Sequence, residues 1–388
     1  MLIRTVTAAF AAFAFAHSAA AQVKIEKKDD GFALTRNGQP YFIKGAGGSP
    51  KYIDALVAAG GNSMRVWSAP SESDLDTAQQ KGVSILVGLD IGHAADAVAT
   101  VRRLKAHPAV LMWALGNEPE HNASTEERIR IWQAIEQLAR AVKAEDPNHP
   151  VIAVIEGTGD TRLKELDQYA PSLDAVGFNQ HAELPTLPAA IEKQGFKRPW
   201  LVTAFGTEAQ SSVVKTTWGM PIEDTSSEIE DLIIDSYQKG IANHPQCLGS
   251  YVARWDDLFL PDGKKLGGVD AVQLLWTGKW PPYRCPVIDG SILEKAVNPL
   301  DEEMPSIYRP GAHVNCSIYA SDPLGEPVTL KWEVRKDGAE SLAGSVAKTQ
   351  DKAAEIVMPQ QPGAYRIFVY VYNQHGGAAT ANLPVEVK

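Results

Sequence analysis

The sequence has few cysteines, no excess of basic charge and no long apolar run. Its three cysteines form no C-x-x-C or Cys/His cluster, so we expect no metal site. Acidic residues outnumber basic ones, 47 to 37, and the net charge of −10 argues against nucleic acid, whose phosphates require a basic face. No stretch reaches the roughly 18 apolar residues of a membrane span. The run Gly45-Ala46-Gly47-Gly48 lacks the later glycine and lysine of a phosphate loop, so no nucleotide or other cofactor is expected.

The first 21 residues have the pattern of a signal peptide. Arg4 supplies a positive start, Ala8–Ala16 form a short apolar run, and Ala19-Ala20-Ala21 precede Gln22 as a small-residue cleavage site. The pattern predicts a secreted or periplasmic bacterial protein.

An oxidising compartment would permit one disulfide bond among the cysteines. Cys247 and Cys285 fall in one predicted domain and are the candidate pair, whereas Cys316 lies further along the chain. Three buried free thiols are the equal alternative.

Short runs rich in Val, Ile and Leu alternate with helical patterns over the first three quarters of the chain. Such runs without strict alternation are typical of buried parallel strands. Eight βα units in about 250 residues predict a (β/α)8 TIM barrel, preceded by a hairpin over residues 22–41 that lies across one end. A doubly wound sheet is the alternative, but it would need neither the eighth strand nor the hairpin. The predicted strands are Phe42–Gly45, Ser63–Trp67, Ser84–Leu89, Val110–Leu115, Val151–Ile155, Ala175–Phe178, Leu201–Phe205 and Leu248–Trp255.

The pattern changes near residue 297. From Glu302 onward the chain shows only short strands and turn sequences such as Asp322-Pro323-Leu324-Gly325, which predict a small all-β, immunoglobulin-like sandwich. The predicted domains are a signal peptide (1–21), a barrel (22–298) and a sandwich (299–388).

The fourth predicted barrel strand ends in a carboxyl group. Chemistry in such barrels lies at the C-terminal ends of the strands, and the fourth run ends Trp113-Ala114-Leu115-Gly116-Asn117-Glu118. Cleavage of a glycosidic bond needs a carboxylic acid that protonates the leaving oxygen, together with a second carboxylate. Glu118 is therefore the candidate acid.

Three segments resemble the clan A glycoside hydrolases, especially families 2 and 5. They are Gly38–Gly45, Gly61–Trp67 and Trp113–Glu118, and the similarity runs over about residues 31–300. The resemblance implies a TIM barrel that acts on β-linked oligo- or polysaccharide.

The resemblance also implies roles for individual residues. Glu118 would be the general acid/base, Asn117 would bind the sugar's 2-hydroxyl, and Arg65 would steady the nucleophile. Trp255, at the end of the eighth predicted strand, would stack on the sugar.

The seventh predicted strand departs from the clan pattern. The clan has Thr-Glu-Phe-Gly where this chain has Thr203-Ala204-Phe205-Gly206, so Ala204 stands at the nucleophile position. Three explanations stay open: an engineered substitution, a natural loss of hydrolysis with binding retained, or an inverting reaction that uses a displaced carboxylate. Glu208 is the nearest such carboxylate, with a solvated loop charge as its simpler interpretation.

Other strand ends favour natural divergence across the cleft. Asn179 and His181 follow the sixth strand, where relatives often have a tyrosine, and Asp256-Asp257 follow Trp255. The sequence therefore predicts a glycoside-hydrolase-like protein. The alternatives are a carbohydrate-binding protein on the same scaffold and a purely structural envelope protein. Weaker candidates for the cleft are Asp90, His93, Glu156, Trp218, Trp276 and Trp280.

Overall fold

The computed structural model describes residues 21–159, 161–181, 183–206, 213–296, 306–336 and 341–388. The described chain opens with an antiparallel sheet of β1 (Val23–Lys27), β2 (Phe32–Arg36) and β3 (Gln39–Pro40). Phe32 N donates to Pro245 O at 2.8 Å, and Arg36 Nη2 donates to Pro108 O at 2.7 Å. Both acceptors precede barrel strands, so this sheet covers the N-terminal end of the barrel.

Eight parallel strands close into a barrel in which the last strand pairs with the first. The closed sheet has no open edge, so the predicted TIM barrel is confirmed and the doubly wound alternative is wrong. Predicted and observed bounds agree within two residues, except that the eighth strand ends at Val252 and not at Trp255. The strands are β4 (Ile43–Gly47), β5 (Ser63–Val66), β6 (Ser84–Leu89), β7 (Val110–Leu115), β8 (Val151–Glu156), β9 (Ala175–Asn179), β10 (Trp200–Phe205) and β11 (Cys247–Val252).

Helices surround the barrel. Three of them begin at a capping box, in which the N-cap hydroxyl and an acidic side chain three residues later exchange hydrogen bonds with the backbone. Trp132 lies on the apolar face of the longest helix and is fully buried, as its helical spacing predicts. The helices are α1 (Ile53–Ala58), α2 (Glu72–Gln80), α3 (Ala94–Leu104), α4 (Thr125–Glu145), α5 (Arg162–Tyr169), α6 (Leu187–Lys193), α7 (Ser226–Gly240) and α8 (Gly267–Thr277).

The interior of the barrel is a packed core. Leu86, Met112 and Ile152 have no exposed surface. Tyr251 also lies inside and shares a 2.8 Å hydrogen bond with Ser63 Oγ. A Cβ at Gly45 would lie 2.3 Å from the Tyr251 ring, so only glycine fits there. Since β1–β3 cover one end, a ligand reaches the barrel at the C-terminal ends of β4–β11, called the mouth below.

The C-terminal part is the all-β module that the turn pattern predicts, built from two four-stranded sheets. It begins earlier than expected, because β12, which lies before the predicted boundary at 299, pairs with β14. Gly290, with φ of 78°, interrupts β12 and shifts its register, so the segment lacks a clear strand pattern. The strands are β12 (Val287–Ala296), β13 (Ile307–Tyr308), β14 (His313–Ser321), β15 (Thr329–Lys336), β16 (Val346–Gln350), β17 (Ala353–Val357), β18 (Gly363–Tyr372) and β19 (Ala378–Val387).

The sandwich is docked on the barrel through α7 and the segment that follows β11. Thr380 N donates to Ser226 Oγ at 2.9 Å, and Ala378 N donates to Lys265 O at 2.8 Å. An apolar cluster lies beside these bonds and consists of Leu260, Leu266, Tyr370 and Ala378. The two domains therefore share both hydrogen bonds and buried apolar surface.

All three cysteines lie in the described ranges, where they are buried thiols outside any disulfide bond, so the alternative of buried thiols holds. None of the helices in the described ranges has the length and apolar character needed to cross a bilayer. Residues 1–20 of the predicted leader lie outside the described residues.

The α4–α5 contact predicts a pH-dependent stability. Hydrogen bonding from Arg128 is the main cause that lowers the pKa of Glu165 from 4.5 to about 2, with further bonds from Thr161 and Trp132. A lowered folded-state pKa stabilises the protein above pH 4.5, and this contribution is lost as the pH falls toward 2. We expect Glu165→Gln to reduce the free energy of unfolding by on the order of 2 kcal/mol at pH 7, and by much less at pH 3.

Urea denaturation at the two pH values measures this difference. Glu126→Gln, at an exposed position of the same α4, is the matched control and should change little at either pH. An equal loss of stability at pH 7 and pH 3 would show that the charge of Glu165 is not what stabilises the contact.

Candidate active site

The centre of the mouth is the buried guanidinium of Arg65, on β5. Arg65 is 2% exposed. Its Nη1 donates to Asn179 Oδ1 at 2.9 Å and to Thr203 O at 2.7 Å, and its Nη2 donates to Asn117 Oδ1 at 2.6 Å. Burial lowers the pKa of Arg65 to about 10, so the side chain stays charged at neutral pH. One cation thus ties together the ends of β5, β7, β9 and β10.

Asn179 links this cation to Glu118. Its Nδ2 donates to Glu118 Oε1 at 2.7 Å and to Asn117 Oδ1 at 2.9 Å, while Thr203 Oγ1 donates to its Oδ1 at 2.9 Å. The structure therefore brings together four of the predicted site residues. Arg65, Asn117, Glu118 and Asn179 are called the polar network below.

The backbone at the end of β7 directs Glu118 into the network. Gly116 and Glu118 have φ of 68° and 54°, and Glu118 N donates to Val154 O of the next strand at 2.9 Å. A left-handed conformation at a glutamate is strained, and such strain is concentrated at functional sites.

Ala204 lies beside the network on β10. Its register partner on β9 is Asn179, and it is 7% exposed. Gln180 N donates to Ala204 O at 2.9 Å. Within the described parts of the chain, no aspartate or glutamate forms an ion pair with Arg65.

Trp255 differs from its expected place. It lies in the 3₁₀ turn Trp255–Leu258 beyond β11, has no exposed surface, and donates from Nε1 to Tyr52 O at 3.1 Å. Its ring packs against Phe259, with centroids 5.5 Å apart. In this position the indole offers no face to a sugar.

Asp256, the next residue, joins the first and last βα loops of the barrel. Its carboxylate accepts hydrogen bonds from Ser49 N and Ser49 Oγ, both at 3.1 Å. The acidic residue after Trp255 therefore links the loops that follow β4 and β11 at the mouth.

A second cluster at the ends of β7 and β8 was not predicted as a unit. Glu120 is fully buried, its Oε1 accepts from Glu156 N at 2.7 Å, and burial raises its pKa. Glu156 Oε2 lies 3.0 Å from His121 Nδ1. These contacts support the loop that carries Glu118. In the sequence, the one sign of this cluster is the position of Glu120 in the motif Asn117-Glu118-Pro119-Glu120.

The remaining candidates lie around the mouth. Asp90 and His93 form an exposed pair 2.7 Å apart after β6, and His181 is half-buried after β9. Glu208 lies outside the described residues. Trp67, which follows β5, was not singled out by the sequence pattern and is 47% exposed. Among the described residues, no group of three His, Cys, Asp or Glu side chains is arranged to hold a metal ion.

Part of the barrel matches a known protein family. Residues 91–257, which include Glu118 and Ala204, match the family model described as "Glycosyl hydrolases family 2, TIM barrel domain". No curated protein matches the chain.

Solved structures share the fold. β-Glucuronidase 2 of Bacteroides uniformis is 14% identical with a TM-score of 0.52, over 94% of this chain and 48% of that one. A β-glucuronidase from an uncultured Clostridium sp. is 17% identical with a TM-score of 0.51, over 66% and 54%. A family 2 β-galacturonidase from Eisenbergiella tayi is 16% identical with a TM-score of 0.50, over 67% and 55%. The chain thus spans about half the length of these structures.

The strained backbone at Glu118 predicts that two truncations of this side chain differ in stability. Glycine relieves the strain of a left-handed residue, whereas alanine removes the same carboxylate and keeps the strain. We expect Glu118→Gly to be more stable than Glu118→Ala by about 1 kcal/mol. Chemical denaturation measures the difference.

Gln137, exposed in the middle of α4, provides the control, because there Gly should be less stable than Ala by about 1 kcal/mol. A Glu118→Gly variant no more stable than Glu118→Ala would mean that the backbone stores no strain at this position.

Proposed function

We propose that the mouth is a glycoside-hydrolase-type site for β-linked oligo- or polysaccharide, with Glu118 as general acid/base. The observation that carries the proposal is the polar network. It holds the Glu118 carboxylate 2.7 Å from Asn179 Nδ2, at the strand ends where barrel enzymes place their chemistry. The names of the similar structures, two β-glucuronidases and a β-galacturonidase, support a β-glycoside as the ligand. The leader pattern supports action outside the cytoplasm, in the periplasm or beyond.

We infer further that Ala204 stands where a retaining nucleophile would be. A methyl group cannot attack the anomeric carbon, and the neighbouring Arg65 has amide and carbonyl oxygens as acceptors where the clan pattern would supply a carboxylate. Hydrolysis with retention would therefore be blocked in this chain. The presence of Asn179 at the next strand end supports natural divergence over a single engineered change. An inverting reaction with Glu208 as base stays a prediction.

The second candidate function is carbohydrate binding without turnover. Asn179 favours it, because its amide both accepts from Arg65 and donates to Glu118. The network is thus internally satisfied without a second carboxylate. Asn117 and Glu118 would then serve as hydrogen-bonding partners for sugar hydroxyls.

An azide experiment separates the two candidates. The wild-type protein and Ala204→Glu are incubated with 2,4-dinitrophenyl β-glycosides of glucose, galactose, mannose and glucuronic acid, with and without azide. We expect wild type to release dinitrophenol only with azide, as nitrogen bonds to the anomeric carbon and the phenolate leaves, which gives an α-glycosyl azide. Ala204→Glu should hydrolyse without azide, on the order of 10³-fold faster than wild type.

Ala204→Gln is the matched control, because it adds the same bulk without a nucleophile and should stay inactive. Binding of oligosaccharide with no azide product and no gain in Ala204→Glu would favour the second candidate. Absence of both turnover and binding would contradict the whole proposal.

A further inference from the structure

Trp67 is unlike the other tryptophans of this chain. Of the nine, all of which lie in the described ranges, it alone is exposed, with 47% of its surface accessible. A single exposed apolar residue on a protein surface needs no explanation. Trp67 is different because it directly follows β5 at the mouth, two residues after the cation of the polar network.

Glycines on both neighbouring strands fix the position of Trp67. On β4, a Cβ at Gly47 would lie 3.2 Å from Cη2 of the indole, so the ring edge lies against that backbone. On β6, a Cβ at Gly88 would lie 2.4 Å from Trp67 O, so the backbone of Trp67 also packs closely. The ring is therefore held at the rim, and little conformational freedom would be lost when a ligand stacks on it.

The covered face of the ring is turned toward the polar network. The Arg65 guanidinium carbon lies over the indole, 5.5 Å from its centroid. Arg65 is itself buried, and we infer that the exposed 47% of Trp67 includes the face opposite Arg65. Arg65 in turn donates to Asn117, the neighbour of Glu118 in the chain. A sugar bound at the Glu118 carboxylate would thus have Trp67 nearby, on the other side of Arg65 and Asn117.

We propose that Trp67 is the aromatic platform of the carbohydrate site, stacking its open face on a pyranose ring next to the one held by the polar network. This inference rests on the proposed function and extends it to a binding residue. The C–H face of a pyranose is apolar, and an indole offers both a large apolar surface and a π-face for it. Trp67 takes the part that the sequence pattern assigned to Trp255, whose faces are covered.

The test compares oligosaccharide binding in matched variants of the full chain. The probes are oligosaccharides of β-linked glucose, galactose, mannose and glucuronic acid, the four sugars of the azide experiment, and calorimetry gives Kd. The variants are Trp67→Ala, which removes the platform, and Trp67→Phe, which keeps a smaller one. Phe42→Ala is the control, because Phe42 is an exposed aromatic (39%) just before β4, at the opposite end of the barrel.

We expect Trp67→Ala to raise Kd about tenfold or more, and Trp67→Phe to raise it about threefold. Phe42→Ala should leave Kd unchanged. Binding should also shift the tryptophan emission of the wild type and not that of Trp67→Phe, because the other eight indoles are buried or half-buried.

Two results overturn the inference in distinguishable ways. If the wild type binds and Trp67→Ala binds equally well, Trp67 is not the platform and the proposed function stands. If the wild type binds none of the probes, the proposed function fails and the platform falls with it. Should Trp67→Ala not fold, Trp67→Phe decides, since an emission shift as large as that of the wild type excludes stacking on residue 67.

Discussion

The arrangement of the mouth depends on one buried cation. A guanidinium removed from water costs several kcal/mol unless acceptors surround it. For Arg65 these acceptors come from three other strand ends, through Asn117, Asn179 and the carbonyl of Thr203. The need to solvate Arg65 therefore fixes the ends of β5, β7, β9 and β10 relative to one another. Glu118 is positioned as a consequence, because the Asn179 amide that accepts from Arg65 also donates to Glu118 Oε1.

The same cation defines the electrostatic character of the site. A retaining glycosidase has two carboxylates about 5–5.5 Å apart, and the second would balance a nearby arginine. Glu118 is the one acidic member of the polar network. Neutral amides separate it from Arg65. The polar network thus carries less negative charge than a site with two carboxylates.

The sequence predicted the barrel strands and the place of Glu118 because buried parallel strands are continuous apolar runs and because barrel chemistry lies at their ends. It could not predict that Asn179 would bond to Glu118, since that contact depends on side-chain directions across two strands. The eighth strand was predicted to end at Trp255 because Ala253 and Trp255 are buried apolar residues that continue its run past Val252. Trp67 was missed as a site residue because the sequence analysis placed it at the end of a predicted buried strand, where a tryptophan is expected to belong to the core. Gly290 concealed β12 by interrupting its alternation.

The segment between β11 and α8 belongs to both domains. At one end Asp256 holds Ser49 at the mouth, and at the other Lys265 pairs with the sandwich, where it accepts from Ala378 N. Trp255 anchors the segment because its side chain is buried in the hydrophobic core of the barrel domain. The sandwich therefore supports the segment between β11 and α8 through Lys265. None of the four residues of the polar network belongs to the sandwich. The order of the Asp256 loop at the mouth is therefore coupled to the order of the sandwich.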